Sequence, residues 1–265
     1  MTDRVPPARS LCYNHGRPLS RSESRFRMPS LSIVIPAYNE AANVVPAVEE
    51  IAIVAQSLKV DYEIILVNDG SRDATGELAR TRLAPRIANF KLVEHFPNRG
   101  YGGALKAGFA AATKDLIAFT PADKQFDFKE VTRLLDKLTA EMTLVSGWRV
   151  NRNDPLLRRL NGMGWNLVVA ILFGRSIHDI DCGFKVFRRE ALQHIHIESN
   201  GAMIDTEMLA ELRARGFKMT DVPVTHLPRT AGNPTGANLK VILRAFRDLF
   251  KFRLRLWREL REERR

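Results

Sequence analysis

Ile33-Val34-Ile35-Pro36-Ala37-Tyr38-Asn39-Glu40 sets a short apolar run against a polar loop that ends in an acid. The arrangement recurs twice. Ile64-Ile65-Leu66-Val67 leads into Asn68-Asp69-Gly70-Ser71, and Leu116-Ile117-Ala118-Phe119 leads into Thr120-Pro121-Ala122-Asp123-Lys124-Gln125. Unbroken apolar runs of this length read as strands buried on both faces. After the first, Val44, Val48, Ile51 and Val54 recur at helical spacing over 41–57. Short strands alternating with helices predict an α/β fold, a mostly parallel central sheet with helices on both faces. In such sheets ligands bind at the carboxyl ends of the strands, where these three acidic loops lie. The expected ligand is a nucleotide, held at base and sugar and through a metal on its phosphates.

The pattern continues outward from there. Strands are predicted over 90–94, 116–120, 142–147 and 217–224, and helices from Asp73 as N-cap, over 156–173 and over 203–215. Asn98-Arg99-Gly100-Tyr101-Gly102-Gly103 opens a glycine-rich helix. It has two readings: phosphate binding at a helix N-terminus, or close backbone approach. Residues 1–29, rich in Arg, Ser and Pro without period, read as a disordered basic tail. Met28 stands as an alternative start. A Gly/Pro/Asn loop over 229–238 precedes a final segment, 238–265, whose Leu239, Ile242, Leu243, Phe246, Leu249, Phe250, Trp257 and Leu260 fit a basic amphipathic helix. That helix packs on the domain, meets a membrane, or binds a partner helix.

The chain has 265 residues, 45% of them hydrophobic, and a formal net charge of +11. That suffices for one large domain with an extension. Residues 1–30 hold six arginines against two acids, and 240–265 hold ten basic residues against four acids. The body between is nearly neutral. A nucleic-acid-binding domain needs its basic stripe on the folded surface, so this distribution argues against nucleic acid and for tails that meet an anionic surface. Cys12 and Cys182 make neither a disulfide framework nor a zinc spacing, which fits a reduced cytoplasmic chain. No apolar run approaches the roughly 20 residues of a membrane span, and the N-terminus lacks the apolar core of a signal peptide.

Ile33-Val34-Ile35-Pro36-Ala37-Tyr38-Asn39-Glu40 followed by Val67-Asn68-Asp69-Gly70-Ser71 resembles the family 2 glycosyltransferases. Within that family the chain looks most like the dolichol-phosphate mannose synthases and other polyprenyl-phosphate sugar transferases. Asn98-Arg99-Gly100, Gln125-Phe126-Asp127, Gly147-Trp148-Arg149, Gly183-Phe184-Lys185 and Asp205-Thr206-Glu207 add to the resemblance, which spans 31–236. It implies the Rossmann-like GT-A fold. The implied donor is a nucleotide sugar (GDP- or UDP-linked), with a divalent metal, Mg²⁺ or Mn²⁺, as cofactor. The implied acceptor is a polyprenyl phosphate, dolichyl or undecaprenyl, on the cytoplasmic face of the membrane, where a small membrane subunit is a possible partner.

Carried over by position, Pro36, Ala37, Tyr38 and Glu40 line the nucleotide pocket and Asp69 contacts base or ribose. Gly100 joins the donor-binding set. Asp123 and Gln125 are the implied metal ligands, Arg149 and Arg229 meet phosphate charge, and Asp181 lies on the acceptor side. Asp123, Asp181 and Arg149 are the expected catalytic residues. Two departures stand out. Pro121 replaces the first carboxylate of the family's paired acids, which leaves fewer oxygen ligands for a hard cation. After Arg229 the chain reads Thr230-Ala231-Gly232-Asn233-Pro234-Thr235, without the Ser-Lys pair common in polyprenyl-phosphate enzymes.

Bland readings stand beside these. Asn68-Asp69-Gly70-Ser71 is also good turn chemistry, and Asp123 alone could cap a helix. Lys124 is an alternative source of positive charge. His178 and His226 read first as structural histidines. The expected function is inverting transfer of a sugar to a polyprenyl phosphate by an enzyme peripheral to the inner membrane face. The alternatives are a soluble glycosyltransferase acting on a small hydroxyl acceptor, and a catalytically weak nucleotide-sugar-binding protein.

Overall fold

A computed structural model of the chain describes residues 29–150, 156–174, 177–228, 239–263 and 265, with the side chains of 156–161 and 239–245 outside that description. The expected N-terminal tail over 1–28, the 229–238 loop and Arg229 lie outside the described residues. Strand β1 (Leu31–Ala37) is buried at every position. It is flanked by parallel neighbours on both sides, β2 (Tyr62–Asn68) and β4 (Leu116–Phe119), with Ile33 opposite Ile64 in one and Ala118 in the other. A strand with a neighbour on each edge and helices on both faces has no wet side, which is why it carries no polar alternation.

The remaining strands are β3 (Phe90–Glu94), β5 (Leu144–Val150), β6 (Lys185–Arg188) and β7 (Met219–Thr225). The sheet runs in the order β3-β2-β1-β4-β6-β5-β7. β6 lies antiparallel between β4 and β5, and β7 returns parallel to β5. The expected mostly parallel sheet is therefore present, with one reversed strand that Gly183-Phe184-Lys185-Val186-Phe187 did not announce. Short apolar runs carry no mark of direction.

Pleating sends alternate residues to opposite faces. Ile33, Ile35, Ile64 and Leu66 pack under α1 (Val44–Ser57) with α4 (Val131–Lys137) beside it. Between β2 and β3, α2 (Thr75–Leu78) continues as one π turn over Ala79–Leu83. Val34, Ile65, Val67, Phe119 and Phe187 pack on the other face. There α3 (Tyr101–Ala111) and α6 (Met203–Ala214) lie against the sheet, with α5 (Leu156–Phe173) and α7 (Leu239–Glu262) over α6. Each fully buried aliphatic or aromatic side chain contributes about 1.5–3 kcal/mol.

Two boundaries move in ways that matter. The strand expected over 142–147 runs Leu144–Val150, so Arg149 sits on the strand itself rather than after it. The helix expected from residue 41 begins at Val44, because 38–41 are held in a loop by the segment 71–75.

Candidate active site

Backbone bonds bring the three acidic loops together. Asp69 N donates to Ala37 O at 2.9 Å, Thr120 N to Val34 O at 3.1 Å and Ala122 N to Pro36 O at 3.4 Å. Side chains then lock the first loop to the second. Asn39 adopts φ 55°, in the left-handed region that asparagine tolerates, and its Oδ1 accepts from Arg72 N at 2.8 Å. Thr75 Oγ1 accepts from Glu40 N at 2.8 Å and Asp73 Oδ2 from Ala41 N at 3.0 Å. Asp73 also accepts from Thr75 N at 3.0 Å, but it stands one residue before the N-cap, Ala74, rather than at the N-cap position expected of it. Its carboxyl lies below its usual range: burial alone would raise it, but bonds from Thr75 and Ala41 outweigh that. Glu40 is buried, and its Oε2 accepts from Asn43 Nδ2 at 2.8 Å. Tyr38 projects at the rim, 40% exposed.

Asp69 is 2% exposed and its carboxylate anchors the next loop. Oδ1 accepts from Arg99 N at 2.9 Å and lies 2.7 Å from His95 Nδ1, while Oδ2 accepts from Gly100 N at 2.8 Å. The following helix start is engaged as well. Gly102 N and Gly103 N both donate to Asn200 O, at 2.9 and 3.3 Å. The glycines are explained by close approach: a Cβ on Gly100 or Gly102 would stand 2.5 Å from a carbonyl oxygen of Asn200 or Ser199. Gly100 has φ 85°, which favours glycine as well. The N–H groups at 99, 100, 102 and 103 thus bind protein acceptors, so of the two readings of this segment the geometry is that of backbone approach.

Asp123 closes the third loop. It is 9% exposed, and its Oδ1 accepts from Gln125 N at 3.1 Å. The turn between them needs φ 58° at Lys124, whose Nζ swings out to Glu50 Oε2 at 3.1 Å. Lys124 therefore pairs with α1. Gln125 O accepts from Leu227 N at 2.9 Å, and Gln125 Nε2 lies 3.3 Å from His226 Nε2. The exit of β7 thus delivers His226 beside Gln125, over a separation of 101 residues.

Among the described residues no group of three or more His, Cys, Asp and Glu is placed to hold a metal. Asp123, Gln125 and His226 offer one carboxylate, one amide and one imidazole. That set fits a hard divalent cation only when further oxygens come from the donor's phosphates, since Mg²⁺ keeps about six oxygen ligands. The single carboxylate is the direct consequence of Pro121, which packs instead toward Gly183.

The opposite wall comes from β5, the loop after α5, and β6. Arg149 grips Asp179 in a two-pronged ion pair, Nε to Oδ2 at 2.7 Å and Nη2 to Oδ1 at 2.9 Å. Burial alone would lower the guanidinium pKa, but Asp179 raises it above its usual value, so Arg149 is a permanent cation. Two residues beyond Asp179, Asp181 is exposed to solvent at its surface yet closely surrounded by protein. Lost hydration, then repulsion from Asp205 and Asp179, push its carboxyl up to about 6, against the pull of Lys185 and Arg149. Lys185 is wholly buried and donates to Asp205 Oδ1 at 2.5 Å, to Ile180 O at 3.1 Å and to Cys182 O. It thereby clamps both sides of Asp181 to α6.

Tyr101 stands between the two walls. Its hydroxyl would lie 3.5 Å from a Cβ on Gly183. Burial, then the charges of Asp205, Cys182, Asp123 and Asp181, raise its pKa well above that of a free phenol, so it remains a hydrogen-bond donor. Asp123 and Asp181 are thus both near enough for their charges to act on Tyr101. Tyr101, Asp179 and Lys185 escaped sequence reasoning as site residues; the Asp179-Ile180-Asp181 spacing was the one signal available. His178 pairs with Asp221 at 3.0 Å and His226 meets Gln125, so both have protein partners nearby.

Among the described residues, seven strands with one reversed strand, and acids at the carboxyl edge, define a GT-A-like α/β protein. Residues 32–196 match the family described as Glycosyl transferase family 2, and the chain belongs to that family. A dodecaprenyl-phosphate galacturonate synthase of Rhizobium johnstonii is 32% identical over 182 residues, 68% of this chain and 54% of the relative. An undecaprenyl-phosphate 4-deoxy-4-formamido-L-arabinose transferase of Yersinia enterocolitica is 32% identical over 226 residues, 83% of this chain and 66% of the relative. The chain thus spans about half to two thirds of the length of these relatives. A glucosyl-3-phosphoglycerate synthase from Mycobacterium tuberculosis, solved with Mn²⁺, uridine diphosphate and phosphoglyceric acid, superimposes with a TM-score of 0.68. Identity to it is 20% over 85% of this chain and 79% of that one, a likeness of fold.

Proposed function

We propose that this protein transfers a sugar, with inversion, from a nucleotide diphospho-sugar to a polyprenyl phosphate at the cytoplasmic face of a membrane. The observation that carries the reading is the joining of the Glu40, Asp69 and Asp123 loops at one end of the parallel strands, Asp69 N to Ala37 O and Ala122 N to Pro36 O. Similarity to transferases named for dodecaprenyl and undecaprenyl phosphate supports the lipid acceptor.

Pro36, Ala37, Tyr38 and Glu40 would line the base and ribose, on a loop held in place by Asp69 and Thr75. Asp123 and Gln125 would hold a divalent cation jointly with the diphosphate, which when bound offsets charge on the leaving group. Arg149, fixed by Asp179, adds positive charge that needs no reorganisation during reaction. Arg229 belongs to the same phosphate-facing set in this proposal. Tyr101, kept protonated by burial and the charges around it, would serve as a hydrogen-bond donor to the bound substrates.

The acceptor phosphate oxygen attacks the anomeric carbon as the bond from that carbon to the diphosphate oxygen breaks. A phosphate monoester loses its second proton near pH 6. Asp181, also at about 6, is matched to take that proton, which leaves the stronger dianionic nucleophile.

The test is transfer of label from a panel of nucleotide sugars to polyprenyl phosphate in detergent, with Mn²⁺ and with chelator. A lipid-linked sugar formed by the native chain and lost by at least about 100-fold in Asp123→Ala is expected, the scale of removing one electrostatic stabiliser. Full activity in Asp123→Ala sinks the assignment of that residue. Transfer to water-soluble acceptors alone sinks the lipid reading.

A further inference from the structure

Glu207 is a buried carboxylate that the proposed chemistry does not use. It is 5% exposed on α6, two residues after Asp205. Residues two apart on an α-helix lie about 200° around its axis, so the two acids leave the helix on nearly opposite sides. Asp205 takes Lys185, which also donates to Ile180 O and so holds the loop that carries Asp179 and Asp181. Glu207 turns to another segment. Its Oε2 accepts from Ser199 N at 2.8 Å and from Glu198 N at 3.0 Å. Burial pushes its carboxyl pKa up, against the bond from Ser199, the charge of Arg255 and the bond from Glu198. A buried carboxylate without such donors is costly, and here both come from one loop.

That loop backs the start of α3. Asn200 O accepts from Gly102 N and Gly103 N, at 2.9 and 3.3 Å, and Glu198 O accepts from Lys106 Nζ at 2.8 Å. Gly100 and Gly102 leave no room for a Cβ against Asn200 O and Ser199 O. On its other side the start of α3 holds Asp69, through Gly100 N at 2.8 Å and Arg99 N at 2.9 Å, and Asp69 N is bonded to Ala37 O. An unbroken series of contacts therefore runs from Glu207 through residues 198–200 and the α3 start to the loop at 36–40. Hydrogen-bond networks of this kind carry positional coupling between segments.

We propose that Glu207 is a positioning residue for the transfer: it presses the 198–200 loop onto the start of α3 and thereby fixes the Asp69 and 36–40 loops that receive the donor nucleotide, from the same helical turn whose Asp205 fixes the 179–181 loop on the acceptor side. The inference rests on the proposed function, which assigns donor and acceptor to these loops. Glu207 touches neither substrate. Asp205-Thr206-Glu207 then acts as one brace, with an acid reaching to each side of the site. The spacing it sets matters, because reaction requires atoms about 3–3.5 Å apart and a misplacement of about 1 Å costs about 100-fold.

The test is calorimetric binding of UDP and of GDP to the full chain with Mn²⁺, together with separate KM values for nucleotide sugar and polyprenyl phosphate. Four variants are compared with the native chain: Glu207→Ala, Glu207→Gln, Lys106→Met and Leu134→Ala. Leu134 is buried on α4, on the sheet face away from α3 and α6, so its truncation lowers stability without touching residues 198–200. Glu207→Ala should weaken nucleoside diphosphate binding by at least about tenfold, or about 1.4 kcal/mol, and raise the donor KM while the acceptor KM stays. Glu207→Gln keeps an oxygen for both N–H groups and should stay within about threefold, since neutral hydrogen bonds are about half as strong as charged ones. Lys106→Met, which frees the same loop from the α3 side, should lose about threefold. Leu134→Ala should bind as the native chain does. Native affinity in Glu207→Ala overturns the proposal, and if that variant does not fold, native affinity in Lys106→Met does. A Glu207→Gln variant as weak as Glu207→Ala points to charge rather than to the loop and also overturns it. So does an equal loss in Leu134→Ala, or an equal rise in both KM values, since general loosening of the fold produces either. Nucleotide binding needs no acceptor, which separates the two readings: a native chain that binds nucleotide but forms no lipid-linked sugar sinks the proposed function, while the Glu207 and Lys106 affinities still decide the brace.

Discussion

Asp181 carries the strongest chemical consequence of any single residue. Its carboxyl is pushed up to about 6 by lost hydration and by the charges of Asp205 and Asp179. As the proton acceptor it works only when ionised, above that value. The rate should therefore fall as pH drops through about 6, rather than through the 3.9 of an ordinary aspartate. In kcat/KM profiles Asp181→Asn should make this acid limb shallower, leaving the fall set by the acceptor phosphate alone, whose second proton also leaves near pH 6. An unchanged limb in the variant would assign the titration to another group, the acceptor phosphate first. Arg149 is different in kind. Its pairing with Asp179 spans 30 residues and could not be read from Gly147-Trp148-Arg149 alone.

Among the elements, β6 and α6 are joined by one ion pair, Lys185 with Asp205, at 0% and 5% side-chain exposure. Lys185→Met removes the cation and strands a buried carboxyl, whose pKa burial already raises. Breaking such a pair from one side costs about 3–5 kcal/mol. Denaturant titration should show that loss, and adding Asp205→Asn to the variant should recover part of it, because a neutral group is cheaper to bury. The helix starts repeat the lesson. The glycine-rich opening of α3 suggested a phosphate cradle as one option, yet its N–H groups face Asp69 and Asn200. The same glycines serve either purpose, and the competing acceptor comes from a loop about 100 positions away. Gly108 belongs to that packing too, since a Cβ there would stand 2.2 Å from Val34 Cγ1 of β1.

At the scale of the whole molecule, a net charge of +11 is carried largely by the two ends around a nearly neutral body. Vesicle partitioning should therefore weaken steeply with salt, as the screening length falls from about 10 Å at 0.1 M to 3 Å at 1 M. Nucleoside diphosphate binding, set in the neutral body and by close contacts, should weaken less. Equal salt sensitivity of the two in flotation and thermal-shift assays would contradict the separation of basic ends from binding body. The sequence alone determined the alternation of strands and helices, the buried centre at Leu31–Ala37, the acids at Glu40, Asp69 and Asp123, and the amphipathic end helix. These are written locally, in hydrophobic period and in residues adjacent along the chain. Only the tertiary structure decided the reversed direction of β6, the partners of Arg149 and Lys185, the arrival of His226 beside Gln125, and the placing of α5 and α7 over α6. Those depend on contacts between distant segments, where burial and electrostatics act through space and leave no periodic trace in the chain.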